Sequence, residues 1–175
     1  ISVDTGLGLP DFRSAERTFQ LITQVAGRAG RGALAGRVLI QTYYPDHYAL
    51  RHAVKQDYEG FFNQEIRYRE RMAYPPYVVL AQLLLRHSDP QAVNEIGRQV
   101  RECLDAANHE KLCRILGPAP ASIARLKGEH RAQILIKGAN RKKLREVIDL
   151  GLAEAEGRKV ELKAVQVEID PINLM

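Results

Sequence analysis

Residues 77–107 read YVVLAQLLLRHSDPQAVNEIGRQVRECLDAA, and this stretch decides the fold. Tyr77 to Arg86 is a mostly apolar run of the length of a strand. From Asp89 to Ala107, apolar residues recur every three or four positions, which is typical of one face of an amphipathic helix. A strand followed by such a helix predicts the first half of a sheet-and-helix unit.

The residues that follow complete this unit. We predict a strand over Leu112–Leu116, a loop over 117–120, a hairpin of Ser122–Lys127 and Arg131–Lys137, a helix capped by Asn140 and running to about Glu156, and a strand over Lys159–Asp170. The order β-α-β-β-α-β is typical of the split βαβ fold, an α+β domain with a four-stranded sheet and two helices on one face.

The last strand contains an irregularity. Val160, Leu162 and Ala164 are apolar at even positions, and Val165 and Val167 at odd ones. A slip of one residue turns every following side chain to the other face, so we predict a bulge or bend near Ala164.

Upstream, the sequence predicts further elements of an α/β protein. They are a helix over Ser14–Ala29 with Ser14 as N-cap, a strand over Arg37–Tyr44, and a helix over His47–Met72 with Asp46 as N-cap, ended by Tyr74-Pro75-Pro76. We therefore divide the chain into residues 1–45, a connector at 46–76 and a C-terminal domain at 77–175. The chain begins at Ile1 without an initiator Met, which suggests a piece of a longer protein.

Composition and charge narrow the class of protein. The sequence is 45% hydrophobic and 27% charged, as in ordinary globular proteins, and has no apolar run of membrane-spanning length. The net charge is +5, but from Lys111 to Arg145 there are ten basic residues and a single acidic one, Glu129. Cys103 and Cys113 lack metal-site spacing, so we expect reduced thiols in a cytoplasmic protein and predict no metal ligands.

The segment Gln24-Val-Ala-Gly-Arg28-Ala-Gly-Arg31 holds the most specific motif. On a helix its Gln and two Arg side chains project to one side, because they are spaced by four and three residues. Arginine forks suit phosphate, and an arginine that reaches a transferring phosphate is the arginine-finger device. From charge alone, a basic helix end on a solvated surface is the favoured interpretation, and the arginine-finger interpretation is the alternative.

This motif resembles the last conserved motif of superfamily 2 helicases, which their second RecA-like lobe carries. Other segments resemble the PriA family of replication-restart helicases (primosomal protein N-prime) in particular. These segments are Asp4–Arg13, Glu16–Gln20, Asp57 with Phe61, Glu65 and Arg69, Tyr74-Pro75-Pro76, Leu116–Ala121 and Asp170-Pro171. The resemblance extends over essentially the whole chain and implies that residues 1–45 are a remnant of that lobe.

The resemblance implies an ATP-dependent 3′–5′ DNA helicase that assembles the primosome. Arg28 and Arg31 would contact the phosphates of ATP bound with Mg²⁺ on the other lobe, Gln24 would face the nucleotide, and the loop from Gly6 to Asp11 would couple nucleotide to DNA. Implied partners are forked and single-stranded DNA, primosome proteins and single-stranded-DNA-binding protein, in the cytoplasm at the nucleoid. The sequence contains no phosphate loop, Asp-Glu-x-His box or zinc-binding cysteine cluster, so we expect this piece to be inactive alone.

The basic segment predicts contact with DNA phosphates. The candidate residues are Arg125, Lys127, Arg131, Lys137, Arg141, Lys142 and Lys143. Two other interpretations stay open: a stand-alone RNA-binding module of the split βαβ class, and a protein-docking domain whose basic face meets an acidic partner.

Overall fold

The computed structural model describes residues 1–29 and 36–174, in two compact units, Ile1–Met72 and Ala73–Met175. The first unit contains α1 (Asp4–Leu7), α2 (Ser14–Ala29), α3 (Tyr48–Val54) and α4 (Tyr58–Arg71). The second contains β1 (Val79–His87), α5 (Pro90–Ala107), β2 (Cys113–Leu126), β3 (Glu129–Gly138), α6 (Arg141–Gly157), a 3₁₀ turn (Leu162–Ala164) and β4 (Val165–Ile169).

The start of the first unit confirms the predicted helix over Ser14–Ala29 and corrects its cap. Ser14 is already helical, and its hydroxyl donates a hydrogen bond to the carbonyl of Asp11 instead of accepting one from the helix. The predicted strand over 37–44 is wrong for the residues described. A single parallel bridge joins Ser2 and Gln41, and beyond it the Asp4 carboxylate accepts from the Thr42 hydroxyl and the Tyr43 amide in place of a strand ladder.

The predicted long helix over 47–72 is wrong, since the chain breaks it into α3 and α4. Gln56 adopts a φ of 54°, and a right-handed α-helix requires a negative φ, so the helix ends there. The Asp57 carboxylate then caps α4 by accepting from the amide of Gly60 at 2.8 Å and contacts His52 Nδ1 at 2.8 Å. At the start of α3, His47 is the cap in place of Asp46, with its Nδ1 accepting from the amide of Ala49.

Aromatic and aliphatic side chains form the core of the first unit. Phe19 of α2 stacks on Phe61 of α4 with ring centroids 4.2 Å apart, and Tyr48 lies 6.0 Å from Phe61. Ile22 and Leu50 are almost fully buried beside them. Ring contacts between helices of this kind add to the free energy gained from burying their apolar area.

A charged network lies against this core and joins all three longer helices. Arg69 of α4 donates to Glu65 at 2.7 Å and to Glu16 of α2 at 2.8 Å, and the hydroxyl of Tyr48 donates to Glu65 at 2.5 Å. Burial lowers the pKa of Arg69, but the hydrogen bonds to Glu65 and Glu16 outweigh it and raise the pKa above its usual value. Burial, followed by the bond to Glu65, raises the pKa of Tyr48. The network therefore keeps its charges paired while they are shielded from water.

We predict that Arg69→Ala lowers the free energy of unfolding of the first unit by about 3–5 kcal/mol, because it leaves the buried carboxylate of Glu65 without its cation. Hydrogen exchange of the amides of α2 and α4 measures this loss. Arg67→Ala, on the exposed side of α4, is the matched control and should cost less than about 0.5 kcal/mol. Equal protection in both variants would show that the network contributes little.

The second unit confirms the predicted split βαβ fold. The sheet order is β2-β3-β1-β4, and every neighbouring pair is antiparallel. Helices α5 and α6 begin at the caps that the sequence predicts: Asp89 accepts from the amide of Gln91, and Asn140 accepts from the amides of Lys142 and Lys143. Local signals therefore fixed where both helices start.

Two predictions about the strands need correction. The expected loop over 117–120 lies inside β2, which runs continuously with two register shifts. Gly117 allows this with a φ of 96°, at a point where an added Cβ would come within 2.6 Å of the Gln133 carbonyl oxygen. Near Ala164 the irregularity is confirmed, but it is a 3₁₀ turn, and the strand begins at Val165 instead of Lys159.

The two faces of the sheet differ in what covers them. One face meets α5 and α6 through a buried core that includes Leu83, Leu85, Ile134 and Ile136. We call the opposite face the open face; alternation places Leu80 there, and it is fully buried.

The last described residues cross part of the open face. The amide of Asp170 donates to the carbonyl of Leu80 in β1, and the carbonyl of Leu174 accepts from the hydroxyl of Ser122 in β2, at 2.7 Å each. Since β3 lies between β1 and β2, residues 170–174 pass across it. Leu174 is 2% exposed, and its partner Ser122 lies in the irregular part of β2 opposite Arg131, so the segment runs from the Leu80 end of the sheet towards the Arg131 end.

Candidate functional site

The candidate nucleotide-facing residues lie at the end of α2. Gln24 and Arg28 are four residues apart and exposed, as their spacing predicts. Arg31 lies outside the described residues. The first unit therefore presents a polar group and a guanidinium from one helix end to solvent.

Gly6 lies in α1 and Asp11 lies between α1 and α2, and both make contacts within the first unit. Gly6 belongs to α1 instead of a loop, and a Cβ there would come 3.3 Å from Thr18 Oγ1 of α2. The Asp11 carboxylate is 6% exposed; it accepts from the amide of Arg13 at 2.8 Å and pairs with Arg17 at 3.2 Å. Both residues thus position the first turns of α2, the helix that carries Gln24 and Arg28.

The predicted DNA-binding residues of the second unit do not form one surface. Arg125, Lys127 and Arg131 lie at the hairpin between β2 and β3, whereas the cations of α6 follow the far end of β3. From Arg131 to Gly138 the strand covers about 23 Å at its usual rise per residue. The dense basic run in the sequence is therefore divided between two ends of the sheet.

At the start of α6, three exposed cations surround the capped helix end. Arg141 forms an ion pair with Asp170, and Lys143 pairs with Glu146 at 3.2 Å. Lys142 is exposed between them. Exposed pairs of this kind contribute little to stability, so these cations remain available to exchange their carboxylates for phosphates.

Lys137 has a different environment from the other candidates. It is 8% exposed, and its Nζ lies 3.7 Å from the centroid of the Tyr74 ring. Burial, together with the nearby Arg114, lowers the pKa of Lys137. A cation on an aromatic face in this setting acts as a packing element between Tyr74 and the open face.

Two arginines that the sequence did not single out also face these cations. The register places Arg86 of β1 directly opposite Arg131 and Arg114 of β2 directly opposite Lys137. Alternation within each strand could have assigned them to the open face. Their pairing required the register, which depends on how strands separated in sequence align.

The described part of the chain contains no group of three or more His, Cys, Asp or Glu side chains placed to hold a metal ion. Cys103 and Cys113 are free and buried, and burial raises the pKa of both thiols. Over the same residues, no helix combines the length and the apolar character that crossing a bilayer requires.

Comparison with known proteins identifies the family. A sequence profile described as Primosomal protein N C-terminal domain matches residues 70–172. The chain belongs to the PriA family. Proteins named Replication restart protein PriA match along it: that of Bacillus subtilis is 40% identical over 97% of this chain, and that of Treponema pallidum is 36% identical over 98%. The protein of Synechocystis is 41% identical over 78%.

The chain spans 21% of the Bacillus subtilis protein and 26% of the Treponema pallidum protein. Among solved structures, a de novo designed protein, Foldit4, matches 53% of the chain at 14% identity with a TM-score of 0.38, which is too low to indicate a shared fold. The PriA-family assignment supports a role in replication restart.

We predict that Lys137→Gln lowers the free energy of unfolding of the second unit by about 1 kcal/mol, because it removes the cation from the Tyr74 ring. Affinity for DNA should change less than about twofold, since the side chain is buried. Lys142→Gln is the matched control, with unchanged stability and weaker DNA binding expected. Urea unfolding and fluorescence anisotropy measure the two effects; a large loss of affinity with Lys137→Gln would contradict the packing role.

Proposed function

We propose that this chain is the C-terminal part of an ATP-dependent 3′–5′ DNA helicase of replication restart. It supplies half of the ATP site and a domain that binds DNA and primosome partners, and it does not turn over ATP alone. The observation that carries the proposal is the likeness along 97% of the chain to a protein named Replication restart protein PriA. The nucleotide-facing half rests on α2, which presents Gln24 and Arg28 to solvent.

In the proposed ATP site, Arg28 and Arg31 stabilise negative charge on the phosphates of ATP, which a second lobe would hold together with Mg²⁺. Gln24 precedes Arg28 by one helical turn and orients toward the same ligand. Gly6 and Asp11 act indirectly, because Gly6 allows α1 to approach Thr18 and Asp11 holds Arg17. Their contribution to coupling between nucleotide and DNA is thus to fix the position of α2.

In the second unit, the hairpin cations and the start of α6 contact DNA phosphates from two ends of the sheet. Separated basic groups suit a branched substrate, since two arms of a fork leave the junction in different directions. The proposed partners besides forked and single-stranded DNA are primosome proteins and single-stranded-DNA-binding protein. The proposed location is the cytoplasm at the nucleoid, where such partners and reduced thiols such as Cys103 and Cys113 occur.

The ATP half-site predicts that Arg28→Ala in the full-length protein lowers the kcat of DNA-stimulated ATP hydrolysis at least about 1,000-fold, with a much smaller change in KM. Arg51→Ala, an exposed arginine on α3, is the matched control and should leave kcat unchanged. Turnover in Arg28→Ala equal to that of the control would refute the assignment. ATP hydrolysis by residues 1–175 alone would refute the half-site itself.

The DNA assignment predicts that residues 1–175 bind forked and single-stranded DNA with an affinity that falls steeply as salt rises. The double variant Arg125→Gln with Lys127→Gln should lower the affinity about tenfold or more and reduce the slope of log affinity against log salt by about two. Anisotropy titrations from about 50 to 200 mM salt measure both quantities. A stronger preference for structured RNA would favour an RNA-binding module instead.

A further inference from the structure

Two arginines lie at neighbouring positions on the open face of the sheet. Arg86 of β1 and Arg131 of β3 are directly paired in the antiparallel register. Their chain neighbours Leu85 and Ala132 belong to the core under α5 and α6, so both arginines project from the other face. Arg86 is exposed, and Arg131 is partly exposed beside the end of residues 170–174, so a ligand would reach the pair from the Arg86 side.

This arrangement is unfavourable without an anion. Directly opposed residues in antiparallel strands have Cβ atoms about 5 Å apart, and like charges there destabilise the sheet. Among the described residues, neither arginine forms an ion pair or a side-chain hydrogen bond, and Arg131 Nε is a buried donor with no acceptor. The protein itself therefore leaves two guanidiniums uncompensated at one position.

The acids nearest to this pair do not neutralise it. Glu129 lies two residues before Arg131 on the same face of β3, Asp89 follows Arg86 by three residues and caps α5, and Glu161 lies 3.9 Å from His87. Within the described part of the chain, none of these carboxylates forms an ion pair with either arginine. Repulsion between two cations without a carboxylate partner points to an external anion.

The chemistry of the pair favours phosphate over carboxylate. A single guanidinium fork matches both oxygens of a planar carboxylate. Two forks from adjacent strands instead suit a tetrahedral group with acceptors in several directions. The neighbouring amide pair of Gln82 and Gln133, bonded at 2.8 Å on the same face, is internal, because Gln82 is 4% exposed. The candidate subsite is therefore limited to the two arginines.

We propose that Arg86 and Arg131 hold one backbone phosphate of a DNA strand on the open face of the sheet. The assignment rests on the proposed function, in which the second unit binds DNA, and it adds a phosphate subsite that includes Arg86. Repulsion between the two arginines lowers the stability of the free protein, and a bound anion removes that repulsion. A phosphate site and a purely structural role for the arginines therefore predict different effects of substitution. Neutralising either arginine weakens DNA binding and stabilises the free protein.

The experiment compares Arg86→Gln and Arg131→Gln in residues 1–175 with Arg98→Gln. Arg98 is exposed on α5, and its substitution removes the same single charge. It serves as the control because α5 covers the other face of the sheet. We expect each open-face variant to bind single-stranded DNA about 5–10-fold more weakly at about 50 mM salt, with a salt slope smaller by about 0.7. Without DNA at low salt, its Tm should rise by about 1–4 °C. The control should show no rise in Tm and less than a twofold loss of affinity.

Inorganic phosphate and DNA distinguish the source of the anion. Phosphate at millimolar concentration should raise the Tm of the wild type more than that of either variant, which supports the subsite.

If both variants bind DNA as the control does, the inference is wrong while the proposed function stands. If the wild type binds no DNA, the proposed DNA-binding function is wrong, regardless of the effect of phosphate on Tm. Preferential binding of an acidic peptide that depends on Arg86 would overturn phosphate as the ligand. Should Arg131→Gln fail to fold, Arg86→Gln, at an exposed position, carries the same comparison.

Discussion

The central position of β1 is the constraint on which the second unit depends. β1 pairs with β3 on one side and β4 on the other, and its alternate residues Ala81, Leu83 and Leu85 are fully buried under the helices. A strand hydrogen-bonded at both edges has one register with each neighbour, since a shift of one residue would turn its apolar residues outward. The same register that buries Leu83 and Leu85 sets Arg86 against Arg131 on the opposite face. Core and candidate site are therefore two consequences of one alignment.

The two ends of the open face differ in how far other residues cover them. At the Leu80 end, the Tyr74–Lys137 contact covers the sheet, and residues 170–174 run from there to Ser122, which lies in the irregular part of β2 opposite Arg131. At the other end, Arg86 is exposed, Arg131 is partly exposed, and both are unpaired among the described residues. Covering one end provides stability, while repulsion between cations at the other end is a cost that a bound phosphate would offset.

In the first unit, the comparable constraint is the Arg69 network. Glu16, Glu65 and Arg69 are all members of segments that resemble the PriA family, yet sequence reasoning gave none of them a partner. The structure brings them together across α2 and α4, because the break at Gln56–Asp57 turns α4 back against the helix that carries Arg28. A residue such as Asp11 acts in the same way, since its carboxylate is used to fix the first turn of α2. Motif residues here stabilise the position of the helix that presents the candidate nucleotide contacts.

By itself, the sequence determined those features that depend on neighbours in the chain. A mostly apolar run gave β1, an apolar periodicity of three or four gave α2, α5 and α6, and the Asp89 and Asn140 side chains marked two helix starts. It also located the irregularity at Ala164 and the motif that includes Gln24 and Arg28. Other features depend on residues distant in the chain, and only the tertiary structure decided them. These are the break between α3 and α4 and the continuation of β2 through Gly117. They also include the burial of Lys137 and the division of the basic segment between the two ends of β3. The physical reason is that caps and periodicity act within a few residues, whereas register and burial are set by strands and rings that meet from far apart in the chain.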